Sequence, residues 1–312
     1  MNIIYLGTPE FALLPLQKIY NETQHKIIAV VCQPDKPSLR GKKIVYSPVK
    51  QFAINNNIPV YQFNKIRIDG VDTLKQLNPD IMITCAYGQI LSQEIIDIPK
   101  YGIINIHASL LPKYRGSSPI QWSLINGEKV TGITIAQTEK GLDTGNILMQ
   151  EKINIESSDN SETLFNKLSI LGSEVVIKAL NQIENNSVIS TPQNHDEASY
   201  YPMIKKEDAL INFNENTEDI INKIRGYYTW PTAYFNYKDI EVKVFSAVKL
   251  NNIETNNYKI GEIVSSDRKN GLIIKTNDGF LSVLELQVPN SKKLNIKDYL
   301  NGKSFEVGYI IG

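Results

Sequence analysis

Asn105 and His107 stand two residues apart in GIINIH, a run from Gly102 that reads as a β-strand, so both side chains leave one face. A later strand, Gly132–Thr138, feeds the loop EKGLDTG, which carries Asp143. An amide, an imidazole and a carboxylate together form a set that acyl transfer can use. Asn105 can donate to a developing oxyanion, a contribution of about 10²–10³ in rate. His107 can carry a proton between an attacking amine and a leaving nitrogen, worth about 10²–10⁴. Asp143 can orient the imidazole and stabilise its charged form. No hydroxyl or thiol is patterned with His107, so direct attack by a substrate nucleophile is expected rather than a covalent intermediate. Each residue also has a plainer reading. A strand-end histidine can be a satisfied structural group, Asn105 a strand-end cap, and Asp143 a turn former beside Gly141 and Gly145. Of the three histidines, His25 and His195 stand in turn-like and linker contexts, so His107 is the candidate for chemistry.

These residues must be held by the elements around them. The first half alternates near-continuous apolar runs with amphipathic stretches. NIIYLG from Asn2, IIAVVC over Ile27–Cys32, DIMITCAYG from Asp80 and GIINIH read as buried strands. Thr8-Pro9-Glu10 and Ser47-Pro48 open helices, and Ser161–Leu180 reads as a long amphipathic helix. The pattern predicts an α/β domain with a doubly wound, mostly parallel sheet, whose ligands lie outside the carboxyl ends of the strands. After about Asn185 the chain turns polar and aperiodic, which reads as a surface linker. One helix and closely spaced short strands follow: VKVFSAVKL, GEIVSSD, GLIIKTNDG and FLSVLELQ. They predict a small OB-like β-barrel. The expected division is 1–188 catalytic, 189–206 linker and 207–312 barrel.

The 312 residues carry 33 Lys plus Arg against 33 Asp plus Glu, so the chain is not coated in basic residues as many nucleic-acid binders are. The basic residues are nevertheless concentrated locally. Gln33 to Lys50 holds Lys36, Arg40, Lys42, Lys43 and Lys50 against Asp35, in a connection where about 2–6 residues are usual. Its plain reading is a solvated loop; its length and position point to contact with an anionic substrate. Cys32 and Cys85 are far apart and apolar in setting, which excludes a disulfide scaffold and a thiolate zinc site. With no HExxH, no metal is expected; no GxGxxG or GxxxxGK[ST] supports a dinucleotide or phosphate-loop site. No signal peptide and no membrane-length apolar run are read, so a cytoplasmic location is expected.

NIHASLLPKYRGSSPIQWSLINGE followed by TGITIAQTEKGLDTGNIL resembles the signature of the 10-formyltetrahydrofolate-dependent formyltransferases. LGTPEFA, QPDKPSLRGKK with SPVK, AYGQIL, KKEDALINF, IRGYYTWPTAY and LELQVPNSKKLNIKDYLNG extend the likeness over essentially the whole chain. The resemblance implies a Rossmann-like formyltransferase domain and formyl transfer from 10-formyltetrahydrofolate. The implied acceptor is the α-amine of methionine esterified to initiator tRNA, attacking through a tetrahedral intermediate. It implies Asn105, His107 and Asp143 as the catalytic set. It implies folate contacts at Ser109, Leu110, Leu111 and Pro112, with Tyr87, Gly88, Gln89, Ile90 and Leu91 lining the pterin pocket. Arg40, Lys42 and Lys43 are implied to engage the tRNA acceptor end, and the barrel to add tRNA surface. Ala108 departs from the glycine common in the family, which matters only if that backbone needs a positive φ. Two related activities stay open: formyl transfer to a small amine, such as a ribonucleotide or an amino sugar, and hydrolysis of the folate donor. Both leave the second half without a role. An NAD-dependent oxidoreductase lacks its glycine fingerprint, and a non-catalytic RNA-binding module leaves the Asn, His and Asp unexplained.

Overall fold

The computed structural model describes residues 1–36, 45–250 and 257–311. Arg40, Lys42 and Lys43 lie outside the described residues.

The chain divides into two compact units. The first comprises Met1–Pro119, Val130–Asn154 and Phe165–Tyr201. Its strands are β1 (Asn2–Gly7), β2 (Lys26–Cys32), β3 (Val60–Gln62), β4 (Ile81–Cys85), β5 (Ile103–His107), β6 (Arg115–Gly116), β7 (Val130–Gln137), β8 (Ile147–Asn154) and β9 (Tyr200–Tyr201). Seven of them form one sheet in the order β3-β2-β1-β4-β5-β7-β8. The pairings from β3 to β5 are parallel. Ile3 to Leu6 of β1 and every residue of β4 are buried, as a sheet covered on both faces requires. Two of the helices start where the sequence signals place them. Glu10–Glu22 follows Pro9, and Pro48–Asn55 is capped by the Ser47 side chain, which accepts from the Lys50 backbone N–H.

The sheet is mostly parallel, as expected, and its antiparallel members are β7 and β8. β7 pairs antiparallel with β5, matching Ile104 to Gln137 and His107 to Thr134. Its carboxyl end therefore lies level with the start of β5, and the following loop must fold back to bring Asp143 near Asn105. β8, the last strand of the seven, alternates half-buried with exposed residues over most of its length, a weak pattern that escapes the sequence reading.

Residues 189–201 differ from a solvated linker. Thr191 exchanges two backbone hydrogen bonds with Ile147, Gln193 is buried, and β9 pairs in parallel with β6. Most of the segment is exposed, as a surface connection is, but Gln193 turns inward and is hydrogen-bonded within the protein.

The second unit comprises Ile120–Lys129, Ile155–Leu164 and the chain from Pro202 onward. Its strands are β10 (Tyr234–Tyr237), β11 (Ile240–Leu250), β12 (Ile263–Asp267), β13 (Gly271–Lys275), β14 (Phe280–Gln287) and β15 (Leu294–Asn295). They pair antiparallel in the order β10-β11-β14-β13-β12, with β15 on β14, in agreement with the expected OB-like domain. The amphipathic helix Thr217–Gly226 inserts Ile220 and Ile224 into a core with Phe235, Val242, Val244 and Leu281. Arg225 fastens the 155–164 segment to this unit, donating to the backbone oxygens of Asp159 at 2.6 Å and Glu156 at 2.7 Å. No helix among the described residues is long and apolar enough to cross a membrane.

Candidate active site

β5 delivers Asn105 and His107 to one face two residues apart, as its period requires. Neighbouring β4 sets the first of them: Thr84 Oγ1 donates to Asn105 Oδ1 at 3.0 Å. Asn105 Nδ2 points to Asp143 Oδ1, 3.4 Å away, and that carboxylate, which only accepts, assigns the amide.

His107 is 6% exposed. Its Nε2 lies 3.0 Å from the carbonyl oxygen of Tyr114, an atom that only accepts, so Nε2 carries a hydrogen. The other ring nitrogen, Nδ1, faces Asp143 Oδ1 at 3.7 Å, too far for a hydrogen bond but close enough for charge to act. The ring is thus oriented by a main-chain carbonyl, with the carboxylate standing beside the nitrogen left free.

Asp143 has φ +53°, an uncommon conformation for a residue with a side chain. Its Oδ2 accepts the Gly116 backbone N–H at 2.9 Å. Its own carbonyl accepts from Gln193 Nε2 at 2.8 Å. Two glycines permit this approach. A Cβ at Gly145 would overlap the Gln137 carbonyl, and one at Gly116, where φ is +119°, would overlap the Tyr201 carbonyl.

The structure brings the Asn, His and Asp singled out by spacing into one cluster. It distributes the expected folate residues differently. Ser109 and Leu111 are buried, and their turn is stitched to β7: Thr134 Oγ1 donates to the Ser109 carbonyl at 2.6 Å and accepts from the Leu111 N–H at 3.1 Å. Their side chains shape backbone, while Leu110 and Pro112 are half-buried. After β4, Tyr87 is buried, and Gly88 and Ile90 are exposed, Ile90 at 73%. Burial, and then the neighbouring Cys32 thiol, push the Tyr87 phenol well above its ordinary pKa. Gln89 is committed to the scaffold. It accepts from the Ile66 N–H at 2.8 Å and donates to the Phe63 carbonyl at 2.9 Å. Leu91 is half-buried and packs on the same core as Tyr87.

At the root of the basic segment, Asp35 accepts from Lys50 and from Gln62 Nε2, the latter at 3.1 Å. Lys50 first, and then Gln62, hold the Asp35 carboxyl below its usual range. Among the described residues no three His, Cys, Asp or Glu side chains cluster so as to hold a metal ion.

Tyr114, Gly116, Thr84, Arg115 and Gln193 are not anticipated from sequence. Two of them act through main-chain atoms, which no residue type announces. Gln193 stands in the stretch that reads as linker.

The chain belongs to the formyl transferase family. The family's formyl transferase domain matches residues 1–180 and its formyl transferase C-terminal domain matches residues 203–304. More particularly, the chain is 42% identical to the methionyl-tRNA formyltransferase of Acetivibrio thermocellus over 313 residues, covering 100% of both chains. It is likewise 42% identical to the methionyl-tRNA formyltransferase of Clostridioides difficile, again covering 100% of both. Among solved structures, it is similar to WlaRD, a sugar 3N-formyl transferase in the presence of dTDP and 5-N-formyl-THF. That match has a TM-score of 0.67 and 25% identity, over 94% of this chain and 99% of that one.

Proposed function

We propose that this chain transfers the formyl group of 10-formyltetrahydrofolate to the α-amine of methionyl initiator tRNA, in the cytoplasm, as a step of translation initiation. The observation that carries the chemistry is the Asn105–Asp143–His107 cluster, with one imidazole nitrogen bonded to the Tyr114 carbonyl and the other left facing a carboxylate. Likeness to methionyl-tRNA formyltransferases at 42% identity over the full length supports the acceptor; a second unit alone does not, because the match to the sugar 3N-formyl transferase also spans 94% of this chain.

The residues present fit a folate. Ala86 and Gly88 hold φ of +47° and +84°, which turns the loop outward and leaves Ile90 exposed after β4, the strand paired with β5. An apolar surface of that kind suits a flat heteroaromatic ring. In this reading Tyr87 to Leu91 and the 109–112 turn hold the donor. When bound, the folate supplies an activated formyl group.

The chain's own residues do the rest. Asn105 presents the amide hydrogen not directed at Asp143 to the formyl oxygen as negative charge grows there. His107 Nδ1, free of any hydrogen-bond partner in its neutral form, takes the proton from the attacking amine and returns it to the departing nitrogen. The Asp143 carboxylate offsets the charge of the imidazolium between those events. Arg40, Lys42 and Lys43, with the OB-like unit, engage the acceptor stem.

The test is an assay with 10-formyltetrahydrofolate labelled in the formyl group, offered methionyl initiator tRNA, free methionine and uncharged tRNA. Label is expected only on methionyl-tRNA. Equal labelling of free methionine would favour a small-amine formyltransferase, and release of formate without transfer a hydrolase.

A further inference from the structure

Asp143 is held by more than the groups that touch its carboxylate. Gln193, 5% exposed, spans from the loop carrying Asp143 to a buried cation. Its Nε2 donates to the carbonyls of Asp143 at 2.8 Å and Gly145 at 2.7 Å. Its Oε1 accepts from Arg115 Nε at 3.2 Å and Nη2 at 2.6 Å. The orientation of this amide is unambiguous, because guanidinium only donates and carbonyl only accepts.

Arg115 is 1% exposed and the largest fully buried side chain among the described residues. Its hydrogen-bond partners are all formally neutral: Gln193, the Tyr200 hydroxyl and His195 Nδ1 at 3.1 Å. A buried guanidinium ordinarily takes a carboxylate. A glutamate at 193 would serve Arg115 better, yet it could not donate to two carbonyls. A glutamine satisfies both ends, and it does so on the two peptide groups that flank the turn after Asp143.

We propose that Gln193, anchored by Arg115, is the positioning residue for the Asp143 carboxylate, acting on turnover through the backbone of the 143–145 turn. The assignment rests on the formyl-transfer reading above. The left-handed backbone at Asp143, φ +53°, persists only where its surroundings over-determine it. Gln193 supplies the restraint from below, and the Gly116 N–H supplies it at the carboxylate.

The experiment is a double-mutant cycle. Gln193→Glu keeps an acceptor for Arg115 but removes both donations. It is expected to lower kcat about 10- to 100-fold with each KM changed less than about threefold, the signature of an interaction used only in the transition state. In single-turnover assays on an Asp143→Asn background, the same substitution is expected to change the rate less than about twofold, since coupled sites are not additive. An undiminished loss in that background, or a raised KM with unchanged kcat, would overturn the role of Gln193. Circular dichroism and thermal melting check that the variants fold. If Gln193→Glu does not fold, Arg115→Lys carries the same cycle from the other end, with the same outcomes required. A wild-type protein that transfers no formyl group would overturn the underlying reading and this assignment with it. Wild-type transfer with additive losses would overturn this assignment alone.

Discussion

His107 donates its Nε2 hydrogen to the carbonyl oxygen of Tyr114, 3.0 Å away. A side chain is thus set in one tautomer by a backbone atom seven residues on, which in turn depends on Tyr114 holding φ at +62°. Replacement of His107 by Ala removes the group that moves the proton and leaves the Asp143 contacts with Gly116 and Gln193 in place. Formyl transfer is expected to fall about 10²–10⁴-fold, with tRNA binding changed only a few-fold. Turnover near wild type, measured alongside a filter-binding titration, would remove His107 from the chemistry.

Charge-neutral substitution of Arg40, Lys42 and Lys43 is expected to weaken methionyl-tRNA use. The dependence of log affinity on log salt should flatten by roughly 0.7–0.9 for each phosphate that is no longer neutralised. A change confined to folate affinity would mean that the segment does not meet the nucleic acid.

The parallel strands and the Asn–His spacing are legible in the sequence because both follow from short-range period and burial. Asn105 and His107 share a face whatever the fold around them, and β4 is apolar throughout because it is covered on both sides. Asp143 is legible for a partly mistaken reason. The pattern puts its loop at a strand end beside His107, whereas β7 runs the other way and the loop returns. Strand direction depends on partners distant in sequence, which local pattern does not carry. The 189–201 segment misleads for a related reason. Gln193 is a polar residue satisfied by protein rather than water, and Thr191 pairs through its backbone; composition is blind to both.

Gly116→Ala tests the crossing of three segments. A methyl there meets the Tyr201 carbonyl, and φ of +119° is strained for any residue with a Cβ. The substitution is expected to lower the melting temperature and to reduce kcat, because the same residue gives its N–H to Asp143. The strain amounts to about 1–3 kcal/mol. An unchanged melting curve would mean that β6 and β9 separate without cost.

The second unit carries an acid-sensitive contact. The Lys249 ammonium at 2.5 Å, together with the Thr217 backbone N–H and hydroxyl, holds the Asp278 carboxyl well below the usual range. A depressed carboxyl contributes stability above its unfolded pKa of about 3.9 and loses it as pH falls towards the folded value. Asp278→Asn is therefore expected to melt earlier than wild type at pH 7, with the gap narrowing below about pH 4. A gap constant across that range would show that the contribution does not come from charge.

Because β7 and β8 form a hairpin, the loop that carries Asp143 leaves and returns to the same strand pair, and the Gln137 N–H closes its base on the Asn146 carbonyl at 2.8 Å. A crossover loop cannot change length without shifting the helix it feeds. This one can gain or lose residues while the sheet and its helices stay where they are, provided that Asp143 keeps its contacts with Asn105, Gly116 and Gln193. Within this architecture it is a place where chain length can change while Asn105 and His107 on β5 remain untouched.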